Sequence, residues 1–231
     1  MKKIFSILLT LLSLNSFGQG FRNSYSNVGF QMAQPLDTLK SILGGNFYGV
    51  NVGNNLPIFN SFIEIGFDYS WGRLDYKEQD FVINYFVSVT GQYIYQQATM
   101  RLQNTNNRYV TNLRFKPFNG PFQPFFDLNC GFETYRVSSD VIKEGYGYSY
   151  GASSNFQYYD LSYLLGWSAG LRISSNEKLF FDFKFQKLDS GPVNYIDLNT
   201  ITIIDDQNIY YEKTEIYPKK FVYQLGISYT Y

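Results

Sequence analysis

The sequence has no histidine and a single cysteine, Cys130, in 231 residues. Without histidine there is no histidine-dependent catalytic triad and no imidazole metal ligand. One cysteine cannot close an internal disulfide, so an exported chain of this length must be stabilised some other way. Charge is scarce too. Asp, Glu, Lys and Arg make up 16% of the chain, against ~25% in an average soluble domain. Basic and acidic residues balance at 19 each, which leaves no basic footprint for nucleic acid. Beyond the first residues, no stretch is apolar enough for the ~20-residue run of a membrane-spanning helix. No cofactor is expected.

What the chain does have is aromatic side chains. Tyr and Phe number 22 each and aromatics reach 20%, yet mean hydropathy is slightly negative. A chain that is aromatic-rich without being hydrophobic on average suits strands with one face in lipid. The N-terminus sets the compartment. Lys2 and Lys3 precede the short apolar run Ile4–Leu14, and the small residues Ser16 and Gly18 follow. This is the layout of a secretory signal peptide over residues 1–18, cut after Gly18. The apolar run is about half the length of a spanning helix. The next residue is Gln19, not a lipid-accepting cysteine. Residues 19–231 then form one domain. With 17 basic against 19 acidic side chains, it carries a net charge of −2.

Alternation of period two marks the strands. The C-terminal stretch is the most regular. Phe221, Tyr223, Leu225, Ile227, Tyr229 and Tyr231 form an aromatic and aliphatic face. Val222, Gln224, Gly226, Ser228 and Thr230 form a small, mostly polar one that brings no charge to the interior. Upstream, a weak first strand covers Val28–Met32, ended by Pro35, and Asp37–Leu43 reads as a loop. A second strand runs from Gly44 to a turn at Asn54–Pro57. A third places Ile63, Ile65, Phe67, Tyr69 and Trp71 opposite Glu64, Gly66, Asp68, Ser70 and Gly72. Strands over 108–116, 126–133, 159–172 and 179–186 follow, with Leu164 interrupting the polar face of the sixth. Short turns near 54–60, 117–121 and 174–178 alternate with longer connections at 35–43, 73–107, 137–158 and 189–218. The pattern predicts an all-β, transmembrane, antiparallel up-and-down barrel of eight strands. Ten is the alternative, should 81–90 and 92–103 form another hairpin through the membrane; eight requires them to extend one above it.

A soluble barrel or sandwich would alternate in the same way, but it would put its large apolar side chains inside. Its exposed face would then be the glycine-rich one, and glycine weakens an exposed strand. The aromatic face is therefore read as the outer one. Glu64, Asp68, Arg114, Lys116, Asp127, Glu133, Arg172, Asp182 and Lys184 turn inward as a lumen charge network. Asp160 belongs to the same face. An eight-stranded lumen is just wide enough for side chains to fill. Mixed charges there should pair and plug it, with Glu64 and Arg114 as one such pair, whereas the rival reading is a narrow ion path. Glu64 and Asp68, four apart on a strand, lie ~13 Å from each other, too far to act as an acid–base pair. Cys130 falls on the outer face.

Leu113-Arg114-Phe115-Lys116-Pro117-Phe118, Gln123-Pro124-Phe125-Phe126, Cys130-Gly131-Phe132 and the signal end Phe17-Gly18-Gln19 resemble the small outer-membrane β-barrel proteins of Bacteroidota. That group is similar to the eight-stranded barrels of the OmpA, OmpX and OmpW type. The resemblance implies residence in the outer membrane, lipid as the surrounding partner, and no enzymatic activity here, since the enzymatic barrels of this shape rely on histidine. It also implies that the C-terminal strand, with Tyr229 and Tyr231, is the signal read by the barrel-assembly machinery. Function is not fixed by the likeness. Surface contact or envelope integrity through long extracellular loops is the first expectation. A channel or lateral-opening transporter for small or apolar molecules is the second, and an accessory subunit of a secretion or gliding machine the third. The extracellular partner is unknown. Tyr146, Tyr148 and Tyr150, spaced by Gly147 and Ser149, are candidates for a contact surface.

Overall fold

A computed structural model describes residues 24–58, 62–87, 91–145, 148–153, 157–203 and 209–230. The signal-peptide segment, Tyr146, Gly147 and Tyr231 lie outside the described residues. The strands are β1 (Tyr25–Leu36), β2 (Phe47–Pro57), β3 (Ile63–Val87), β4 (Gln92–Phe115), β5 (Phe122–Gly145), β6 (Tyr148–Ser153), β7 (Gln157–Ser174), β8 (Leu179–Ser190), β9 (Val193–Ile196), β10 (Thr202–Ile203), β11 (Ile209–Tyr210), β12 (Lys213–Ile216) and β13 (Lys219–Thr230). Helix α1 (Asp37–Leu43) and a 3-10 turn (Leu198–Thr200) complete the set.

Eight of these strands form a closed antiparallel ring in the order β4-β3-β2-β1-β13-β8-β7-β5, sealed by a β4–β5 pairing; β6 flanks the upper part of β5. Following paired residues around the ring from Leu36, through Lys219, Asp189, Leu165, Cys130, Thr111, Phe67 and Asn54, returns to β1 at Ser26, ten residues earlier. That stagger tilts the strands by about 40° and leaves a lumen that side chains can fill. β1, β8 and β13 have 12 residues each, enough to climb roughly 30 Å at this tilt. The ladder from β13 to β1 is unbroken and matches Val28 with Ile227 and Met32 with Tyr223. The ten-stranded alternative does not form. β3 and β4 run continuously to the tip of a single hairpin, Val87 against Gln92.

β3, β4 and β5 are the longest strands, at 25, 24 and 24 residues, about twice the length of β1, β2, β8 and β13. β2 leaves the sheet at Phe47, close to an irregularity in the β3–β4 register between Arg73 and Asp75. Beyond this point the three long strands continue as a sheet above the ring. The connection from β8 to β13 folds onto it. β9 pairs with β12, and Ile196, Leu198 and Ile201 pack on Phe81, Ala98, Met100, Leu102, Val137 and Val141. The long loops thus own a hydrophobic core separate from the barrel.

Several expected boundaries shift. β1 spans Tyr25–Leu36 rather than Val28–Met32, because Pro35 sits at the end of the strand, where the ladder needs little from it. β2 starts at Phe47, not Gly44. Residues 37–43 are a helix, not a loop. Leu39 is buried under the barrel mouth, with Ile42 and Leu43 against it, and Gly44 closes the helix in a left-handed conformation (φ 68°) with its N–H donating to the Lys40 carbonyl. Seven residues are too few for a helical period to stand out in the sequence.

Candidate functional site

The ring is inverted relative to a soluble protein. Phe30, Ile65, Phe67, Leu113, Leu128, Leu161, Leu165, Phe183, Leu225 and Ile227 face outward and are exposed, as is Cys130. Asp127 and Glu133 are fully buried at 0% exposure. Alternation produces both faces from the same strands.

The lower lumen is an ionic lattice. Arg114 grips Asp127 with two parallel bonds of 2.7 and 3.0 Å, and Arg172 grips Asp182 with two of 2.7 and 3.2 Å. Such two-point pairs between a planar guanidinium and a carboxylate are the strong form of this interaction. Lys116 meets Glu64 at 2.8 Å. Lys184 meets Asp68 at 2.7 Å and Asp127 at 3.6 Å. β8 and β3 stand on opposite sides of the ring, so the Lys184–Asp68 bridge crosses the whole lumen. Higher up, Lys220 bonds Glu133, which also accepts from Ser190, from Tyr135 at 2.9 Å and from Asn106 at 3.2 Å. Tyr25 knits the lowest layer. Its hydroxyl donates to Glu64 and accepts from Arg114 at 2.9 Å, while the Arg172 guanidinium lies 3.5 Å over its ring.

The nine charges assigned to the lumen from the sequence are all in this lattice, but one pairing differs. Glu64 and Arg114 are direct neighbours across β3 and β4, yet they are joined through the Tyr25 hydroxyl, not bonded to each other. Arg114 takes Asp127 instead because that carboxylate, on the other adjacent strand, satisfies two of its donors at once. Lys220, Arg108 and Tyr25 were not in the expected set. The C-terminal strand begins at Lys219 and does bring a charge inward, through Lys220. Asp160 lies at the upper rim and holds the Asn194 backbone and side-chain N–H groups at 2.7 and 3.2 Å.

Between the lower ion pairs and the Lys220–Glu133 pair the lumen turns apolar. Ala33, Phe47, Val110, Leu164, Leu188 and Val222 form a buried cluster across it. Leu164 does not break the alternation; it faces inward with the polar residues of β7 and supplies part of this layer. Over it, Leu39 of α1 packs with Tyr135, Val193, Tyr195 and Ile216, so the helix and the β9–β12 hairpin cover the mouth. Phe221, Tyr223, Leu225, Ile227 and Tyr229 of β13 lie on the outer face, opposite the buried Val222, Gln224 and Ser228.

On the sheet above the ring, Glu78 of β3 faces Arg101 of β4 and pairs with it at 2.7 Å, while the Tyr76 hydroxyl also donates to Glu78. The hydrogen bonds from Tyr76 and Arg101 hold the Glu78 carboxyl below the ordinary glutamate range, and the same bond to Glu78 raises Tyr76. β6 runs along β5, with Tyr148 opposite Gly145 and Tyr150 opposite Lys143. Among the described residues no cluster of Cys, Asp and Glu is placed to hold a metal ion.

Together these features define a closed eight-stranded antiparallel barrel with an apolar outside and a charged inside. Solved structures of that architecture are similar to it. The attachment invasion locus protein Ail of Yersinia pestis is 14% identical, with a TM-score of 0.46, over 91% of this chain and 99% of Ail. Neisserial surface protein A is 10% identical, with a TM-score of 0.45, over 90% and 97% of the two chains. The N-terminal β-barrel domain of Pseudomonas aeruginosa OprF is 11% identical, with a TM-score of 0.30, over 91% and 98%. At these values the likeness concerns the fold alone. No protein-family model and no curated protein sequence matches the chain.

Proposed function

We propose that this chain is an integral outer-membrane protein of a Gram-negative envelope, non-enzymatic, whose plugged barrel anchors a rigid extracellular sheet for surface contact or envelope integrity. The observation that carries the reading is the inversion of polarity. Phe30 is 75% exposed on the outside of the ring while Asp127 is fully buried within it. Water would penalise that outer surface heavily; a hydrocarbon belt of ~25 Å matches it. The short turns and both strand ends at Tyr25 and Thr230 then face the periplasm, and the long strands project outward. The lattice of ion pairs and the apolar layer over it support a lumen that passes no solute. The loops' own hydrophobic core supports a role for the projecting sheet as a preformed surface rather than a mobile fringe.

The rival reading, lateral release of an apolar molecule through the wall, meets an unbroken ladder of twelve residue pairs between β1 and β13. A groove of about 720 Å³ on the outer wall, lined by Phe30, Leu171, Phe183, Tyr223 and Leu225, suits an acyl chain of the surrounding lipid. The deciding experiment is fractionation of cells followed by gel migration with and without heating. The protein should enter the outer-membrane fraction and migrate faster unheated. Recovery from the soluble periplasm would refute the proposal. Deleting Tyr231 should lower the assembled fraction if the C-terminal strand is read by the assembly machinery.

A further inference from the structure

One buried cation of the lumen bonds no carboxylate. Among the described residues, the buried or half-buried cations facing the lumen are Arg108, Arg114, Lys116, Arg172, Lys184 and Lys220. The anions are Glu64, Asp68, Asp127, Glu133 and Asp182 inside the ring, with Asp160 half-buried at its rim. Each anion inside the ring is bonded to another cation; Arg108 stands opposite Glu133 in the β4–β5 ladder but bonds no carboxylate. Its side chain is 1% exposed. From β4 it reaches Gln31 of β1, three strands away around the ring, and donates one bond from Nη2 to the Gln31 side-chain oxygen. That oxygen also accepts from Gln224 at 3.4 Å. Arg108 Nε and Nη1 bond nothing.

A guanidinium does not lose its proton in a protein. A buried, uncompensated charge costs several kcal/mol even after relaxation. Water would satisfy the two spare donors but would not neutralise the charge. We propose that Arg108 holds a small monovalent anion, a halide such as chloride, in the middle of the lumen. One guanidinium without a bonded carboxylate calls for one negative charge. The space around it is enclosed by the apolar layer and the ion pairs, which excludes large organic anions. Asn51, whose side-chain oxygen lacks a partner, faces the same lumen, and rotation of its amide would turn an N–H inward. Nothing in the proposed surface role requires this site. It does rest on the closed lumen, and the two ideas fail separately: stable conductance would refute closure, whereas indifference to halide would refute the site.

The test uses the full-length folded protein in an uncharged detergent. Unfolding by urea is followed while sodium bromide replaces sodium gluconate at fixed ionic strength. Above saturation the unfolding constant of the native chain should fall about tenfold for each tenfold rise in bromide. Arg108→Gln should remove that dependence and should unfold less readily than the native chain in gluconate alone. Arg108→Lys should retain it, as should Arg136→Gln, which changes an exposed charge on the outer side of β5. A native chain indifferent to bromide, or an Arg108→Gln chain as bromide-dependent as the native one, overturns the proposal. Should Arg108→Gln fail to fold, crystals of the native protein grown in bromide decide it. An anomalous peak beside Arg108 supports the site, and its absence there overturns it.

Discussion

Tyr25 carries no charge, yet it joins two ion pairs and lies under the guanidinium of a third. Removing only its hydroxyl leaves Arg114 and Glu64 each short of a bond inside a closed space. Tyr25→Phe should therefore cost about 2 kcal/mol, the range for hydrogen bonds to charged groups, read as a lower urea midpoint in micelles. Lys220 is a harsher case. Lys220→Met strands the Glu133 carboxylate at full burial and should cost about 3–5 kcal/mol. Adding Glu133→Gln to that variant should restore much of the loss, which a double-mutant cycle would measure. Lys220 and Arg108 were within reach of the sequence. Extending the alternation of Val222 and Gln224 back two places reaches Lys220, and Arg108 precedes the outward Tyr109. Tyr25 was not within reach in the same way. A tyrosine at the end of a weak strand resembles any other aromatic until its neighbours are known.

At the scale of the strands, the ladder sets what the side chains can be. Gly131 of β5 faces Val110 of β4, and a Cβ there would collide with the backbone carbonyl of Tyr109. Gly131→Ala should destabilise the barrel by about 1–3 kcal/mol, as overpacking does. Gly120, in the β4–β5 turn, has open space around it, so Gly120→Ala should change stability by less than about 0.5 kcal/mol. The projecting hairpin offers a pH prediction. Glu78 has its carboxyl lowered by bonds from Tyr76 and Arg101. Its contribution is present above the unfolded glutamate value of ~4 and is lost as pH falls through the lower folded value. Amide exchange near Glu78 and Arg101, corrected for the intrinsic rate, should speed up below about pH 4. Glu78→Gln should show the faster exchange at neutral pH. Exchange in β1 and β13 should not respond to that substitution.

For the molecule as a whole, the arrangement of charge and apolar layers predicts a barrel without steady conductance. Purified protein in planar bilayers should give no stable channel events across the physiological voltage range. A reproducible open level would refute the closed lumen. The two long pieces of the chain that escaped the repeating pattern, 73–107 and 189–218, prove to be partners. One supplies the upper sheet and the other the segment that covers it. Residues 37–43, read as a loop, are the helix that sits in the mouth. Each of these depends on contacts between residues far apart in sequence, where local periodicity carries no information.

Alternation alone determined the class of fold, the order of short and long connections, and most of the charges that point inward. All of these follow from the two-residue period of a strand and from the cost of exposing one face or burying the other. The tertiary structure decided which charge takes which partner. In a ring staggered by ten residues, inward side chains meet across the lumen, so the distance along the chain no longer tells which ones touch. Lys184 and Asp68 are 116 positions apart and 2.7 Å from each other. The same closure left Arg108 without a bonded carboxylate, a fact about contacts across a sealed space that no single strand contains.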